Sequence, residues 1–456
     1  MALKVAHDSD IGSADHASIP VHQSHHELTR RVLFKADIRV LPLVALLFLC
    51  SFLDRTNVGN AKIIGLEKDI HINPSQYRNG LAIYYACYIA SEVPSNLIIK
   101  KVSPKIWLPF LTFSWGIITI GTGFMRDYKD FMILRAVLGI FEGGLLPGIV
   151  LYLSSMYTRS ELAVRIGMFY TGGSLSGAFG GLLARGLSAI GPRGGLEGWR
   201  WIFIMEGVIT AIVAAFSYLG LPNSLQEASF LTKEEQQWAV DRLEQDGGGR
   251  FSRALERAEP FQWSEVRRGM SNVQVWLSST AYFAILSGLY SFGLFLPTIV
   301  KEIGIASDAN QVQLWSVIPF AVATPFTVLV ALLSDHLKVR GIIMLCVIPI
   351  AIAGYAVIAN TKSPETRFAM TCLMALGMYC AVPPVLVWNS NNSAGHYKRA
   401  TTSGLQLAIA NAGGFVATFV YPDSQEPYYH KGHTVILGLL CYAWLAVLAN
   451  IFWLWG

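Results

Sequence analysis

The stretch Arg135-Ala-Val-Leu-Gly139-Ile-Phe-Glu142-Gly143-Gly144-Leu-Leu-Pro147-Gly148 decides the fold class. It lies in an apolar run, roughly 131–157, long enough to cross a bilayer as a helix. An arginine and a glutamate at such depth each cost on the order of 3 kcal/mol on insertion scales. Seven residues apart on a helix, they are separated by about two turns and point the same way. Gly139 shares their face and Gly143 flanks it. Two readings stay open: a polar, small-residue stripe facing a cavity, or a buried structural ion-pair set.

The whole chain supports the membrane setting. It has 456 residues, 53% of them hydrophobic and only 14% charged, with a mean hydropathy of +0.44. Soluble domains carry about 25% charged residues. Residues 1–37 are polar and contain no apolar core of the cleavable-signal type. The six cysteines show no paired spacing, so neither a disulfide framework nor a metal site is implied. No cofactor is expected. The net charge of +5 says little, because the side of the membrane on which charge lies matters more.

Outward from the central stretch, apolar spans recur at roughly 38–60, 79–99, 106–124, 131–157, 164–187 and 200–221. A charged segment, 222–272, follows. In it Thr232-Lys-Glu-Glu235 reads as a capping box opening an amphipathic helix that Gly247-Gly248-Gly249 ends. Six further spans lie at roughly 273–300, 313–333, 341–359, 368–389, 401–421 and 435–455. The expected fold is an all-α membrane protein with twelve transmembrane helices in two six-helix halves. The expected units are a polar tail (1–37), the first half (38–221), a cytoplasmic central loop (222–272) and the second half (273–456). This is the organisation of large secondary transporters, whose site lies near mid-membrane between the halves. Basic short loops and the even span count place both termini in the cytoplasm.

The first half holds the intramembrane charge. Asp54 and Arg55 are adjacent, so on a helix they point about 100° apart. One can face a cavity while the other pairs with a neighbouring helix. Tyr85, Tyr88 and Glu92 share one face, and Glu92 beside Pro94 has a structural reading, bonding backbone that the proline frees. Glu206, just after Trp199-Arg200-Trp201, reads as an interfacial anchor. Gly173, Gly177 and Gly181 are spaced to let another helix approach closely. An anion carrier needs a fixed cation in a dry site, and a guanidinium presents a two-pronged edge to a carboxylate. A buried carboxyl near it can couple protonation to occupancy. The structural alternative for Arg135 is bonding of carbonyls at the rim of its span. The second half offers neutral polar groups: Trp388-Asn389-Ser390-Asn391-Asn392, Gln406 and Asn411.

Leu53-Asp-Arg-Thr-Asn-Val-Gly-Asn-Ala61, Glu92-Val-Pro-Ser-Asn96, the 135–148 stretch, Gly198-Trp-Arg-Trp-Ile-Phe203 with Glu206-Gly207, and Gly395-His-Tyr-Lys-Arg399 resemble the major facilitator superfamily. Within it they are similar to the anion:cation symporter family, in the fungal branch of allantoate, nicotinate and pantothenate permeases. The resemblance implies import of a small organic carboxylate with protons, by alternating access, at the plasma membrane. By position it implies proton coupling at Asp54 and Glu142 and anion binding at Arg55 and Arg135, with Asn391 near the substrate. Tyr85 joins the candidate substrate-binding set. The expected partners are the organic anion, protons and the lipid bilayer, with no nucleic acid and a monomeric chain. The alternatives are export of an acidic metabolite and a non-transporting nutrient sensor. An enzyme is not expected, since no nucleophile–base pair or phosphate loop stands out. The loop Lys100-Lys-Val-Ser-Pro-Lys105 lacks the Gly and Asp of the superfamily's loop motif. Asp335 to Arg340, at the mirror position, keeps part of it.

Overall fold

The lipid core offers no hydrogen-bond partner to a peptide group, so apolar runs of this length must close into helices. The computed structural model describes residues 21–192, 194–246, 263–392 and 396–455, and among them every regular element is helical. Before the linker run α1 (Val21–Ile64), α2 (Leu66–Asp69), α3 (Pro74–Val102), α4 (Pro104–Thr122), α5 (Tyr128–Glu142), α6 (Leu145–Ser154), α7 (Arg159–Ser188) and α8 (Gly198–Gly220). The linker contains α9 (Lys233–Asp246) and α10 (Trp263–Met270). After it come α11 (Val273–Ile303), α12 (Ala309–Leu337), α13 (Arg340–Asn360), α14 (Pro364–Asn391), α15 (His396–Asn411), α16 (Gly413–Phe419) and α17 (His430–Trp455).

Among the described residues, eight helical stretches are long and apolar enough to cross a membrane: those of α1, α5 with α6, α8, α11, α12, α13, α14 and α17. The other expected spans coincide with α3, α4, α7 and α15 with α16, whose Glu, Lys, Ser, Thr and Gly residues dilute their apolarity. The helices are apolar outward. Phe110, Phe113 and Ile117 on α4 and Phe216 and Leu219 on α8 are exposed, while Glu206, Thr210 and Ser217 of α8 are buried. Such an inverted arrangement suits a lipid surround.

The helices before the linker meet those after it at α1 against α11 and α12, α7 against α12 and α14, and α3 against α15 and α16. Gly177 and Gly181 make the contact of α7 with α12 possible. A Cβ at Gly177 would run into the Phe320 ring, and one at Gly181 would lie 2.9 Å from the Gln313 carbonyl oxygen. Gly173 of the same series packs instead on Phe48 and Phe52 of α1.

Three local features differ from, or add to, the sequence reading. Helix α1 begins at Val21, inside the stretch expected to be a polar tail. Its early turns have a partner: Lys35 Nζ donates to both Glu235 carboxylate oxygens (2.8 and 2.7 Å), and Trp238 Nε1 donates to Thr29 Oγ1 (3.0 Å). The Thr232–Glu235 capping box forms as expected, with reciprocal bonds of 2.9 and 3.3 Å, while Gly247 to Gly249 lie outside the described residues. The decisive span is not one helix. It breaks at Gly143-Gly144, immediately after Glu142. At the mirror-related loops, Ser103 (φ +87°) and Lys338 (φ +58°) both take the left-handed region that favours glycine.

Candidate substrate and coupling site

Glycine again sets the geometry. A Cβ at Gly139 would run into the Tyr84 carbonyl, and one at Gly143 into the Tyr88 carbonyl, so α5 lies directly on the backbone of α3. The buried face of α5 carries Phe131, Arg135, Leu138, Gly139 and Glu142. Glu142 is therefore delivered against Tyr84, and across from it α1 presents Ser51 and Arg55. Glu142 Oε1 accepts from Arg55 Nη2 at 2.9 Å and from Ser51 Oγ at 2.5 Å. Oε2 accepts from Tyr84 OH at 2.6 Å, and that hydroxyl accepts from Arg55 Nε at 3.2 Å. Arg55 is 5% exposed and Glu142 0%. A buried pair this dry is stabilised only when further hydrogen bonds meet its remaining capacity, and Ser51 and Tyr84 do this for Glu142.

The guanidinium is also caged by rings. Its carbon lies 5.0 Å from the centroids of Phe52, Tyr88 and Tyr290, and 5.8 Å from that of Tyr84. Tyr290 belongs to α11, so the cage is completed by the helices after the linker. From there a polar chain returns to α3: Tyr290 OH donates to Asn411 Oδ1 (2.9 Å), and Asn411 Nδ2 donates to Glu92 Oε2 (3.3 Å).

Asp54 turns the other way, as adjacency on a helix requires. It faces α4 and α8 and feels the charges of Glu206, Glu142 and Arg135. Among the described residues, Thr119 of α4 faces its carboxylate as a hydrogen-bond donor. Arg135 stands over Phe131 at 5.7 Å and within Coulombic reach of Asp54 and Glu142.

Of the sequence-predicted residues, Arg55 and Glu142 form one direct contact, while Arg135 and Asp54 lie beside it. Tyr85 is buried against Tyr290 (5.6 Å between rings) and Gly414, but its hydroxyl bonds nothing described. Its neighbour Tyr84, which sequence reasoning passed over, holds the pair. The side chain of Asn391 lies outside the described residues. Asn389 and Gln406 bond each other at 3.0 Å, and Gln406 also bonds Ser278 of α11 at 3.0 Å. Glu92 bridges to Asn411 rather than to backbone near Pro94, because its face of α3 meets α15. Glu206 is no interfacial anchor: it is 2% exposed and accepts from Asn57 Nδ2. The close crossing of Gly116 on α4 and Gly207 on α8 draws it inward.

One end of the bundle is latched. Asp423, in the turn before α17, meets Lys62 Nζ at 3.0 Å and Arg78 Nη1 at 3.6 Å, tying α1 and α3 to the segment after α16.

The sequence that builds this arrangement matches one family model over residues 44–418, that of the Major Facilitator Superfamily. The chain belongs to the Major Facilitator Superfamily. It is a multi-pass membrane transporter, a transport protein and not an enzyme. An uncharacterised transporter of Schizosaccharomyces pombe is 33% identical over 444 residues, covering 97% of this chain and 86% of the relative. The high-affinity nicotinic acid transporter of Saccharomyces cerevisiae is 30% identical over 428 residues, covering 94% and 78%. A bacterial homologue of the human lysosomal transporter Spinster, solved in an inward-facing and unoccupied conformation, superposes with a TM-score of 0.64. It is 16% identical over 91% of this chain and 96% of that one, and so shares the superfamily fold.

Proposed function

We propose that this transporter imports a small organic carboxylate together with protons, as a member of the anion:cation symporter branch. The observation that carries the reading is the Arg55–Glu142 pair inside a cage of aromatic rings drawn from both helix sets. Glu142 occupies the guanidinium edge that a substrate carboxylate needs. Protonating Glu142 removes its charge and releases that edge, and the ring faces of Tyr88 and Tyr290 then suit a planar acid. Substrate and proton thus arrive together: protonation without substrate leaves Arg55 uncompensated, and substrate without the proton leaves two carboxylates competing for one guanidinium edge. Arg135 supplies a second positive charge beside the pair. The nicotinic acid transporter among the relatives is in keeping with a planar acid.

In this reading residues 38–221 and 273–456 rock as two halves about the site, joined by a cytoplasmic loop, 222–272. The transporter works as a monomer at the plasma membrane with both termini inside. The Asp423 latch then closes the outer end.

The test is uptake of labelled nicotinate, pantothenate, allantoate and similar acids by cells carrying the transporter, at acidic and neutral pH. Acid-stimulated uptake of at least one, made insensitive to pH by Glu142→Gln, is the expected result. No uptake of any acid, with greater product retention on deletion, replaces import by export. Wild-type pH dependence in Glu142→Gln removes the proton role of Glu142.

A further inference from the structure

The latched end of the bundle carries a carboxyl that the latch itself does not need. Lys62, in the last turn of α1, stands between two acids. Its Nζ lies 3.0 Å from Asp423 Oδ1, in the turn before α17, and 3.6 Å from Glu67 Oε1 on α2. Asp423 belongs to the helices after the linker, whereas Glu67 belongs to the same helix set as Lys62. One ammonium therefore has a partner across the interface and another on its own side. Arg78 on α3 reaches the second Asp423 oxygen at 3.6 Å, and Lys62 Nζ stands 5.0 Å from the centroid of the Tyr77 ring.

The local chain explains how Glu67 comes to be there. Helix α1 stops at Ile64, Gly65 takes the left-handed region (φ +117°), and α2 begins at Leu66, whose side chain is fully buried. That reversal brings Glu67 back to Lys62. With 13%, 21% and 26% of their side chains exposed, Lys62, Glu67 and Asp423 are dry enough to feel one another and wet enough to exchange protons.

The charge of Glu67 depends on whether the latch is shut. Facing it are Lys62 on α1, Tyr77 and Arg78 on α3, and Asp423 before α17. Burial pushes its carboxyl above the ordinary range; the Lys62 charge opposes this, and the Asp423 charge adds to it. When the turn bearing Asp423 withdraws, Glu67 loses a neighbouring anion and keeps both cations. Its proton is thus held more tightly with the latch shut than open. By linkage the shut form is favoured as pH falls through the closed-state value, and this gain is absent above it. The contacts give the same sign: a neutral Glu67 no longer competes for the ammonium, which is left wholly to Asp423.

We propose that Lys62 is exchanged between Glu67 and Asp423 as the outer end opens and shuts, so that Glu67 makes the latch close in acid. Glu67 is a positioning residue, acting through Lys62 and touching no substrate. While the end is open it keeps the ammonium compensated, and on protonation it releases it. The inference rests on reading the Asp423 contact as an outer latch. An acidic exterior then shuts that end, in the sense that proton-coupled import requires.

The test is dipolar coupling between spin labels on the purified full chain in lipid, at neutral and at acidic pH. Labels go at Ser75→Cys on α3 and Ser424→Cys beside Asp423, both exposed, with the exposed Cys346 and Cys441 replaced by serine. The ratio of strongly to weakly coupled labels reads shut against open. In the otherwise native chain it should rise roughly two- to fivefold in acid, the size a partly exposed ion pair commands. Glu67→Gln should hold the high ratio at both pH values, and Asp423→Asn the low one. A native ratio that stays flat or falls in acid overturns the proposal. So does a Glu67→Gln that keeps the native pH dependence, because another carboxyl then drives closing. A lower ratio in Glu67→Gln at neutral pH overturns it too, because Glu67 then props Lys62 toward Asp423. An Asp423→Asn that matches the native chain removes the latch and this inference with it. Neither substrate nor uptake enters the readout, so a lack of acid uptake would refute the import reading alone.

Discussion

Replacing Glu142 with glutamine isolates the energetics of the central pair. Glutamine keeps the volume and one carbonyl oxygen, so Ser51 and Arg55 retain an acceptor. Its amide nitrogen, however, faces the Tyr84 hydroxyl, which already accepts from Arg55 Nε. Arg55 cannot shed its proton, and it is left as an uncompensated charge at 5% exposure. Breaking a buried pair in this way costs about 3–5 kcal/mol. The surrounding rings recover part of that, since cation–π contacts contribute roughly 0.5–2 kcal/mol each. The lower end, about 3 kcal/mol, is therefore expected. The double variant Arg55→Met/Glu142→Gln removes the stranded charge and fills the cage with a thioether that packs well on rings. It should recover at least half of the loss. The assay is thermal unfolding of the purified protein in detergent, with gel filtration to verify homogeneity. If the double variant melts below Glu142→Gln, Arg55 is not held by Glu142 and the site description is wrong.

Three further outcomes are expected. Gly139→Ala should destabilise by roughly 1–3 kcal/mol through overpacking against the Tyr84 backbone, whereas Gly186→Ala, with open space around it, should be neutral or stabilising in the same melting assay. Asp423→Asn should barely move the melting midpoint, because partly exposed ion pairs contribute about 0–1 kcal/mol. It should speed thiol labelling of a Leu294→Cys variant, since Leu294 on α11 is buried with its backbone packed on Gly59, about one turn from Lys62, and unchanged labelling would remove the latch. Burial pushes the Glu235 carboxyl up, but hydrogen bonds from Lys35 and Thr232 outweigh it and hold the group below its ordinary range. Its stabilising contribution is thus present above the ordinary glutamate value of about 4.3 and is lost as pH falls through the lower folded value. Hydrogen exchange should show α9 loosening on acidification and, at neutral pH, in Glu235→Gln.

The fold was legible because apolar length and spacing are dictated by the bilayer, and the observed helices fall on the runs read from sequence. The 100° turn between Asp54 and Arg55 was legible too, and it separates the two buried charge sets. Tyr84 was missed because two tyrosines compete for one face, and only the contact of α5 with α3 chooses between them. A signal existed: Gly80, Tyr84 and Tyr88 repeat at the same four-residue interval as Arg135, Gly139 and Gly143. Glu206 was misjudged from its tryptophan neighbours. The stripe Glu206, Gly207, Thr210, Ala214 and Ser217 on an otherwise apolar helix marks a buried face, because lipid leaves no other place for it. The break at Gly143-Gly144 was not legible, since paired glycines within a span serve close packing as readily as they end a helix.

Helix α1 spans 44 residues, on the order of 66 Å at the usual rise, about twice the thickness of a bilayer core. It carries Asp54 and Arg55 near one end and, some 30 Å away along the same rod, the Lys35 that grips α9. A rod pinned at one end and loaded at the other behaves as a lever. Tags, fusions or trimming near Val21 are therefore mechanical interventions on the charge pairs, and a protein engineer who labels this transporter does better to begin elsewhere.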